Sequence, residues 1–421
     1  MTLELSRADR ARLGGEGGPG VARAMRILVA AAEAMGATRL LDITRAHLDG
    51  CLYHGRASLD FVERLVAEGA RVLVPTTLNV GSLDLLHPEL VRLDPATAEA
   101  ARRLMDAYVA LGARPTWTCA PYLLEDRPAL GEQVAWAESN AIVFANSVLG
   151  ARTERYGDFL DACCAVTGRA PAVGLHTDEG RRARLLVRVR GVPEPLARST
   201  AGLAALGHLL GRAAGHEVPV VDGLPTALGE DGLKALGAAA ASSGAVGLVH
   251  VVGSTPEAPS VEAALGGRPP LRELSIGPAE LRRARDELST AGDGRIGAVS
   301  LGTPHASERE LDRILELARH VGSLAVPCFV NTGRSTLARL EADGRAGALR
   351  SAGITVVTDT CTYVTPILQG IEQPVMTDSA KWAWYAPGNL GVRVVFGTTE
   401  ECLRSAAAGR AWRDEALWGT A

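Results

Sequence analysis

The stretch Gly353–Ile367, GITVVTDTCTYVTPI, sets the reading of the chain. An apolar β-branched run, Ile354 to Val357, has strand composition. It stops at Thr358-Asp359-Thr360 and presents one cysteine, Cys361, among hydroxyl side chains. Working outward, the same rhythm recurs. Strand-like runs lie at 39–43, 71–75, 116–119, 247–253, 296–302 and 323–330. Helix-like runs separate them, around 20–35, 59–68 and 96–111, and with apolar spacing at Leu311, Ile314, Leu315 and Leu317. Strands alternating with helices imply an α/β chain with parallel sheets. In such sheets ligands sit beyond the carboxyl ends of the strands. The residues there are Thr76 to Asn79, Cys119, Thr303-Pro304-His305 and Cys361, mostly polar or thiol groups.

The chain has 421 residues, more than one ordinary domain holds. A soft boundary falls near 195–200, after GVPEP, giving regions 1–198 and 199–421, with the C-terminal part able to pack back on the first. Hydrophobic content of 47% with 22% charged residues is globular. A net charge of −4 and no long basic run argue against nucleic acid and membrane surfaces as partners. Seven scattered cysteines do not form a secreted disulfide framework. The N-terminus has no apolar signal core. The uncharged run 235–253 is split by Ser242-Ser243-Gly244 into a helix end and a strand. The expected location is the cytoplasm.

Cys119, in TWTCAPYL, and Cys361 each follow a strand-like run and precede a proline. Each can ligate iron, zinc or a cluster, act as a nucleophile, or be a small buried apolar side chain. Cys163 and Cys164 read as helix core, and Cys51, Cys328 and Cys402 as structural, with Cys328 inside a strand. The segment 138–159 gathers Asn140, Asn146, Ser147, Arg152 and Thr153 around what reads as an apolar strand. An arginine fork among amides and hydroxyls suits a carboxylate, although Asn and Ser also cap loops. His176 is an acid–base or ligand candidate, or a surface histidine. Thr303 and His305 read as a strand-to-helix turn, with Ser307 and Glu310 forming a capping box for the next helix. Lys381 and Tyr385 lie on DSAKWAWYAPG, where the lysine can bind an anion or be solvated. The glycine-rich segment 14–20 follows no strand and lacks the phosphate-loop pattern; no serine-hydrolase or zinc-protease motif occurs.

The ordered set GGEGGPGVARAMRIL, AHLDGCLYHG, LVPTTLNVGSLD, TCAPYL, ESNAIVFANSVLGART, GLHTDEGR, LGTPHASERELDRI, DTCTYVTPI and AWYAPG resembles the large subunit or large domain of aconitase X over nearly the whole chain. The resemblance implies an aconitase-like multi-domain fold, with parallel-rich sheets around a central cleft. It implies an iron-dependent hydro-lyase acting on a small hydroxy acid. Family members dehydrate cis-3-hydroxy-L-proline or mevalonate 5-phosphate. A swivelling domain that supplies a catalytic serine is fused or separate in the family, and here a separate small subunit is expected. Two of the family's three cluster cysteines match Cys119 and Cys361, while Thr303 stands at the third. A hydroxyl is a poor soft-iron ligand. The expectation is therefore a two-iron two-sulfur cluster or mononuclear iron held by Cys119, Cys361 and oxygen ligands, with Cys328 as a substitute. Loss of that cysteine resembles the hydroxyproline branch, with Δ1-pyrroline-2-carboxylate as product. Arg152, Asn146 and Ser147 would hold the substrate carboxylate, with Thr76, Asn140, Thr153 and Tyr385 also binding. His176 or His305 would serve the leaving hydroxyl, with Lys381 in the catalytic set. The rivals are a mevalonate 5-phosphate dehydratase, using Lys381, Arg152 and Arg334 for the phosphate, and a non-catalytic iron-binding subunit.

Overall fold

The computed structural model describes residues 2–368 and 370–419. The chain divides into two compact units, 1–83 with 93–182, and 84–92 with 183–421.

The first unit holds β1 (Leu40–Asp42), β2 (Ala46–Leu48), β3 (Thr76–Leu78), β4 (Ala135–Trp136) and β5 (Arg169–Pro171). β1 and β5 pair antiparallel, and a second sheet runs β3-β2-β4 in parallel. The helices Pro19–Ala34, Arg56–Ala67 and Pro95–Ala110 match the apolar spacing in the sequence.

Three segments differ from expectation. Residues 71–75 form no strand, and pairing begins at Thr76. Pro75 has no N–H to give a ladder, so extended pairing starts after it. Residues 116–119 are not a strand either, because Trp117 takes a left-handed φ of 44° that breaks extended geometry. The expected strand within 138–159 is instead helix Ser139–Phe144, continued by the π-turn Ala145–Leu149. The Glu138 side chain accepts the Ala141 N–H and starts the helix. A short apolar run buried on every side carries no period to tell helix from strand.

In the second unit, β6 (Leu185–Val189), β7 (Pro219–Asp222), β8 (His250–Val251) and β9 (Arg272–Ile276) form a parallel sheet of order β8-β7-β6-β9. The strands β10 (Ala298–Ala306), β11 (Cys328–Thr332), β12 (Ile354–Val357), β13 (Val375–Thr377) and β14 (Val394–Phe396) form another, of order β12-β11-β10-β13-β14. Val299, Leu301, Val330 and Ile354 of this sheet pack against Leu311, Ile314 and Leu315 of helix Glu308–Val321. Shortening one of those leucines to alanine costs about 2–5 kcal/mol. Ser307 caps that helix, and Glu310 completes the capping box as expected. Helices Thr200–Ala214 and Glu230–Ser243 cross closely at Gly207, where a Cβ would lie 2.1 Å from the Leu236 carbonyl oxygen. The abundance of small residues in these helices serves that approach.

β10 runs further than the sequence suggests and contains Thr303 and His305. Its register with β11 breaks there. Leu301 pairs with Val330 and Ala306 with Thr332, so the four residues 302–305 face Asn331 alone. Gly302 takes a φ of 74°, and a Cβ on it would sit 2.4 Å from the Asn331 carbonyl oxygen. No other residue fits that turn without displacing β11.

Candidate active site

In the first unit, the carboxyl ends of the parallel strands carry Asn79, Asp49 and Glu138. Asn79 donates to the Asp49 carboxylate, and the Asp49 N–H donates to Asp161 at 2.8 Å. Asp161 is fully buried, and desolvation pushes its pKa up to about 6. Cys119 is buried on the loop that follows Trp117. Its carbonyl accepts the Asn140 amide at 2.9 Å, and Asn140 in turn accepts the Tyr122 hydroxyl at 2.6 Å. Asn140 therefore positions the cysteine loop. Asn146 and Thr153 bond each other through the Asn146 amide and the Thr153 backbone, at 2.9 and 3.0 Å. Arg181 also donates to Asn146, at 2.9 Å, and the Thr153 hydroxyl serves Trp136. Ser147 is buried beside them. The Arg152 guanidinium pairs with Asp178 at 2.5 Å and reaches the His176 carbonyl at 3.4 Å. Thr76 bonds the Val74 carbonyl.

His176 is a buried group, not a surface one. Its Nδ1 meets the Gln133 side-chain oxygen at 2.6 Å, and its Nε2 meets the Tyr156 hydroxyl. An amide oxygen only accepts, so Nδ1 carries the proton and Nε2 receives the Tyr156 proton. Burial first, then Arg181 and Arg152, hold its pKa down to about 3. It is neutral at ordinary pH, with both nitrogens bonded within the unit.

In the second unit, β12 ends at Thr358-Asp359-Thr360 and leads to Cys361, fully buried. Asp359 adopts a left-handed φ of 61°. Arg334 grips its carboxylate as a fork, with one arm at 2.7 Å, and the Leu85 N–H adds a bond at 3.0 Å. Asp84 receives the Thr358 N–H and hydroxyl at 2.9 and 3.0 Å. These charge-assisted bonds hold the turn that presents the thiol. His305 Nε2 donates to the Thr360 carbonyl at 3.1 Å. In a neutral ring that leaves Nδ1 with the lone pair. A ring nitrogen of His305 and the Cys361 thiol lie within 4.8 Å of each other. Thiolate and imidazole are the donors that suit iron or zinc, so this pair fits a metal centre.

Asn331, which organises this corner, is not among the site residues read from the sequence. It is fully buried, and its amide donates to the Leu301 carbonyl at 2.8 Å, the Thr303 hydroxyl at 3.3 Å and the Thr362 hydroxyl at 3.2 Å. Its oxygen accepts the Thr362 N–H at 3.0 Å. Thr362 also takes the Trp382 indole N–H at 3.1 Å and meets Ser300 at 2.7 Å. One signal existed: a polar residue closing an apolar strand run, in FVNTG. Lys381 is buried, with its ammonium 5.7 Å above the Tyr363 ring, on which Tyr385 stacks at 5.8 Å. Cys328 lies inside β11 among core side chains, where burial pushes its thiol up to about 12.

Family profiles for the first, second and third domains of aconitase X match residues 2–179, 183–286 and 296–408. A cis-3-hydroxy-L-proline dehydratase of Pseudomonas aeruginosa is 44% identical over 409 residues, spanning 96% of this chain and 70% of the relative. A second protein of that name, from Hypocrea jecorina, is 41% identical, spanning 97% of this chain and 69% of the relative. A phosphomevalonate dehydratase large subunit of Methanothermobacter thermautotrophicus is 38% identical, spanning 95% of this chain and 98% of the relative. The crystal structure of Thermococcus kodakaraensis aconitase X, in its holo-form, superposes with a TM-score of 0.86 at 31% identity, covering 96% of this chain and all of that one. No helix among the described residues is long and apolar enough to cross a membrane.

Proposed function

The chain belongs to the aconitase X family, and from that premise we propose that it is the large subunit of an iron-dependent dehydratase converting cis-3-hydroxy-L-proline to Δ1-pyrroline-2-carboxylate. The observation that carries the substrate is the 44% and 41% identity to two proteins of that activity. The fold class and the dehydratase chemistry follow from the family itself.

Cys361 and His305 would hold the iron, with Cys119 joining them by its match to the family's ligand position. The centre is a two-iron two-sulfur cluster or a single iron. Iron at this corner supplies a Lewis acid for the departing hydroxyl. Loss of water also needs an acceptor for the Cα proton. That base is assigned to the serine of a separate small subunit, a reading supported by relatives named as large subunits. Removal of the Cα proton and the β-hydroxyl leaves an enamine, which tautomerises to the cyclic imine without redox change. The Thr360 carbonyl holds His305 in one tautomer, and Asn331 bonds both the Thr303 hydroxyl and the N–H of Thr362, the residue after Cys361. Lys381 is assigned to the substrate carboxylate.

Mevalonate 5-phosphate dehydration is the second reading, favoured by the end-to-end match to the archaeal large subunit. It would draw on Arg152 and Arg334 for the phosphate. Those guanidinium groups are paired with Asp178 and Asp359. The deciding experiment assembles the chain with its small subunit and offers both substrates. Turnover of cis-3-hydroxy-L-proline is expected; turnover of mevalonate 5-phosphate alone would replace this reading with the second.

A further inference from the structure

The second unit encloses a cavity of about 380 Å³, within the range of small-molecule sites. Leu203, Ala204, Ala235 and Ala238, from helices Thr200–Ala214 and Glu230–Ser243, give it an apolar wall. Its polar lining includes Thr303, near the end of β10, and Asp378 and Ser379, which follow β13. Carboxyl ends of neighbouring parallel strands are where such folds place ligands.

The lining carries both signs: Arg309 pairs with Asp231 and Lys234 with Glu310, and Arg198, Arg313, Lys381 and Asp378 also line it. Asp378 follows β13 and accepts the Thr399 hydroxyl at 2.7 Å; among the described residues no cation bonds it. Burial, together with the Glu310 charge, pushes its pKa up to about 6, against the Thr399 hydrogen bond and the Lys234 charge, which lower it. Glu310 is engaged through one oxygen, which receives the Lys234 ammonium and the Ser307 N–H. Two neighbouring carboxyls thus feel each other's charge, and among the described residues the Lys234 ammonium bonds Glu310 and not Asp378. The ordinary ways to relieve such a pair are a proton or a cation. Ser379, Ala380 and Lys381 also line the cavity, and they open the helix Ala380–Leu390. A helix N-terminus and a lysine together favour a carboxylate. The cavity therefore offers a place for a positive group beside a place for a negative one.

We propose that this cavity binds a small cyclic amino acid as its zwitterion, with Asp378, backed by Glu310, receiving the ring ammonium and Lys381 receiving the carboxylate. This rests on the proposed function and deepens it. It makes Asp378 the residue that separates a cyclic amino acid from a phosphorylated hydroxy acid, which has two anionic ends and no ammonium.

The test uses the complex with its small subunit and two calorimetric probes, L-proline and tetrahydrofuran-2-carboxylate, in which an ether oxygen replaces the ring nitrogen. The wild type should bind L-proline at least about ten-fold more tightly, near 1.4 kcal/mol. Asp378→Asn should abolish that preference by weakening L-proline alone, while Lys381→Met should weaken both probes alike. Equal affinity in the wild type, no binding of either probe, or a preference kept by Asp378→Asn would overturn the proposal. The wild-type comparison decides even if the Asp378 variant does not fold. Turnover of cis-3-hydroxy-L-proline on the same complex separates the two readings. Turnover without the preference removes this pocket alone, and the preference without turnover removes the substrate reading alone.

Discussion

Asn331 shows how one side chain can hold a reactive corner without touching a substrate. It ties β10 to the turn that carries Cys361 through four hydrogen bonds, all buried. Asn331→Leu keeps the volume but leaves the Thr362 N–H and the Leu301 carbonyl without partners. A loss of roughly 2–4 kcal/mol is expected in denaturant unfolding, with lower iron content in protein purified without oxygen. Cys361→Ala and His305→Ala should each lose most of the iron; full iron retention in either would remove that residue from the ligand set. His47 offers a different measurement. It is completely buried, and desolvation holds its pKa down to about 3, against 6.5 for the free side chain. The unfolded chain therefore takes up a proton near pH 6.5 that the folded chain refuses until about pH 3. This contribution to stability is intact above pH 6.5 and drains away as the pH falls toward 3. The melting temperature of wild type minus that of His47→Gln should shrink across that window and stay flat above it.

Elements were legible where a periodic pattern ran long enough. Helix Glu308–Val321 is one case, with its cap and its apolar face both visible in the sequence. Ser307→Ala removes the cap and should cost about 1 kcal/mol, read as a shift in denaturant midpoint with an unchanged slope. The apolar run at 141–145 was not legible, because a helix buried all round and a central strand share the same composition. The run at 71–75 failed at Pro75, which has no N–H to give, so pairing starts only after it. Cys361 and His305 could be marked from the sequence, as polar groups at strand ends. Their proximity could not, since it depends on a tertiary path between β10 and the end of β12. The partners of Lys234, Glu310 and Asp378 were hidden for the same reason: these residues come from three separate segments.

At the scale of the molecule, fold and activity are separate matters, and the site must carry the argument. The chain supplies thiols, an imidazole, a lysine and a cavity lined by charges of both signs, while the base for the Cα proton is assigned to a second polypeptide. Dehydration should therefore be at least about a hundred-fold slower with this chain alone than after the small subunit is added; equal rates would place the base in this chain. The register break in β10 bears on how such an enzyme can change. Thr303 faces the cavity, while His305, two positions on, bonds the turn beside Cys361. Gly302 leaves the bulge no slack. An insertion or deletion here would turn both side chains together, so a lineage acquiring a new substrate through this strand would have to re-tune its metal at the same step, whereas Asp378 and Thr399 can vary while the inorganic centre stays as it is.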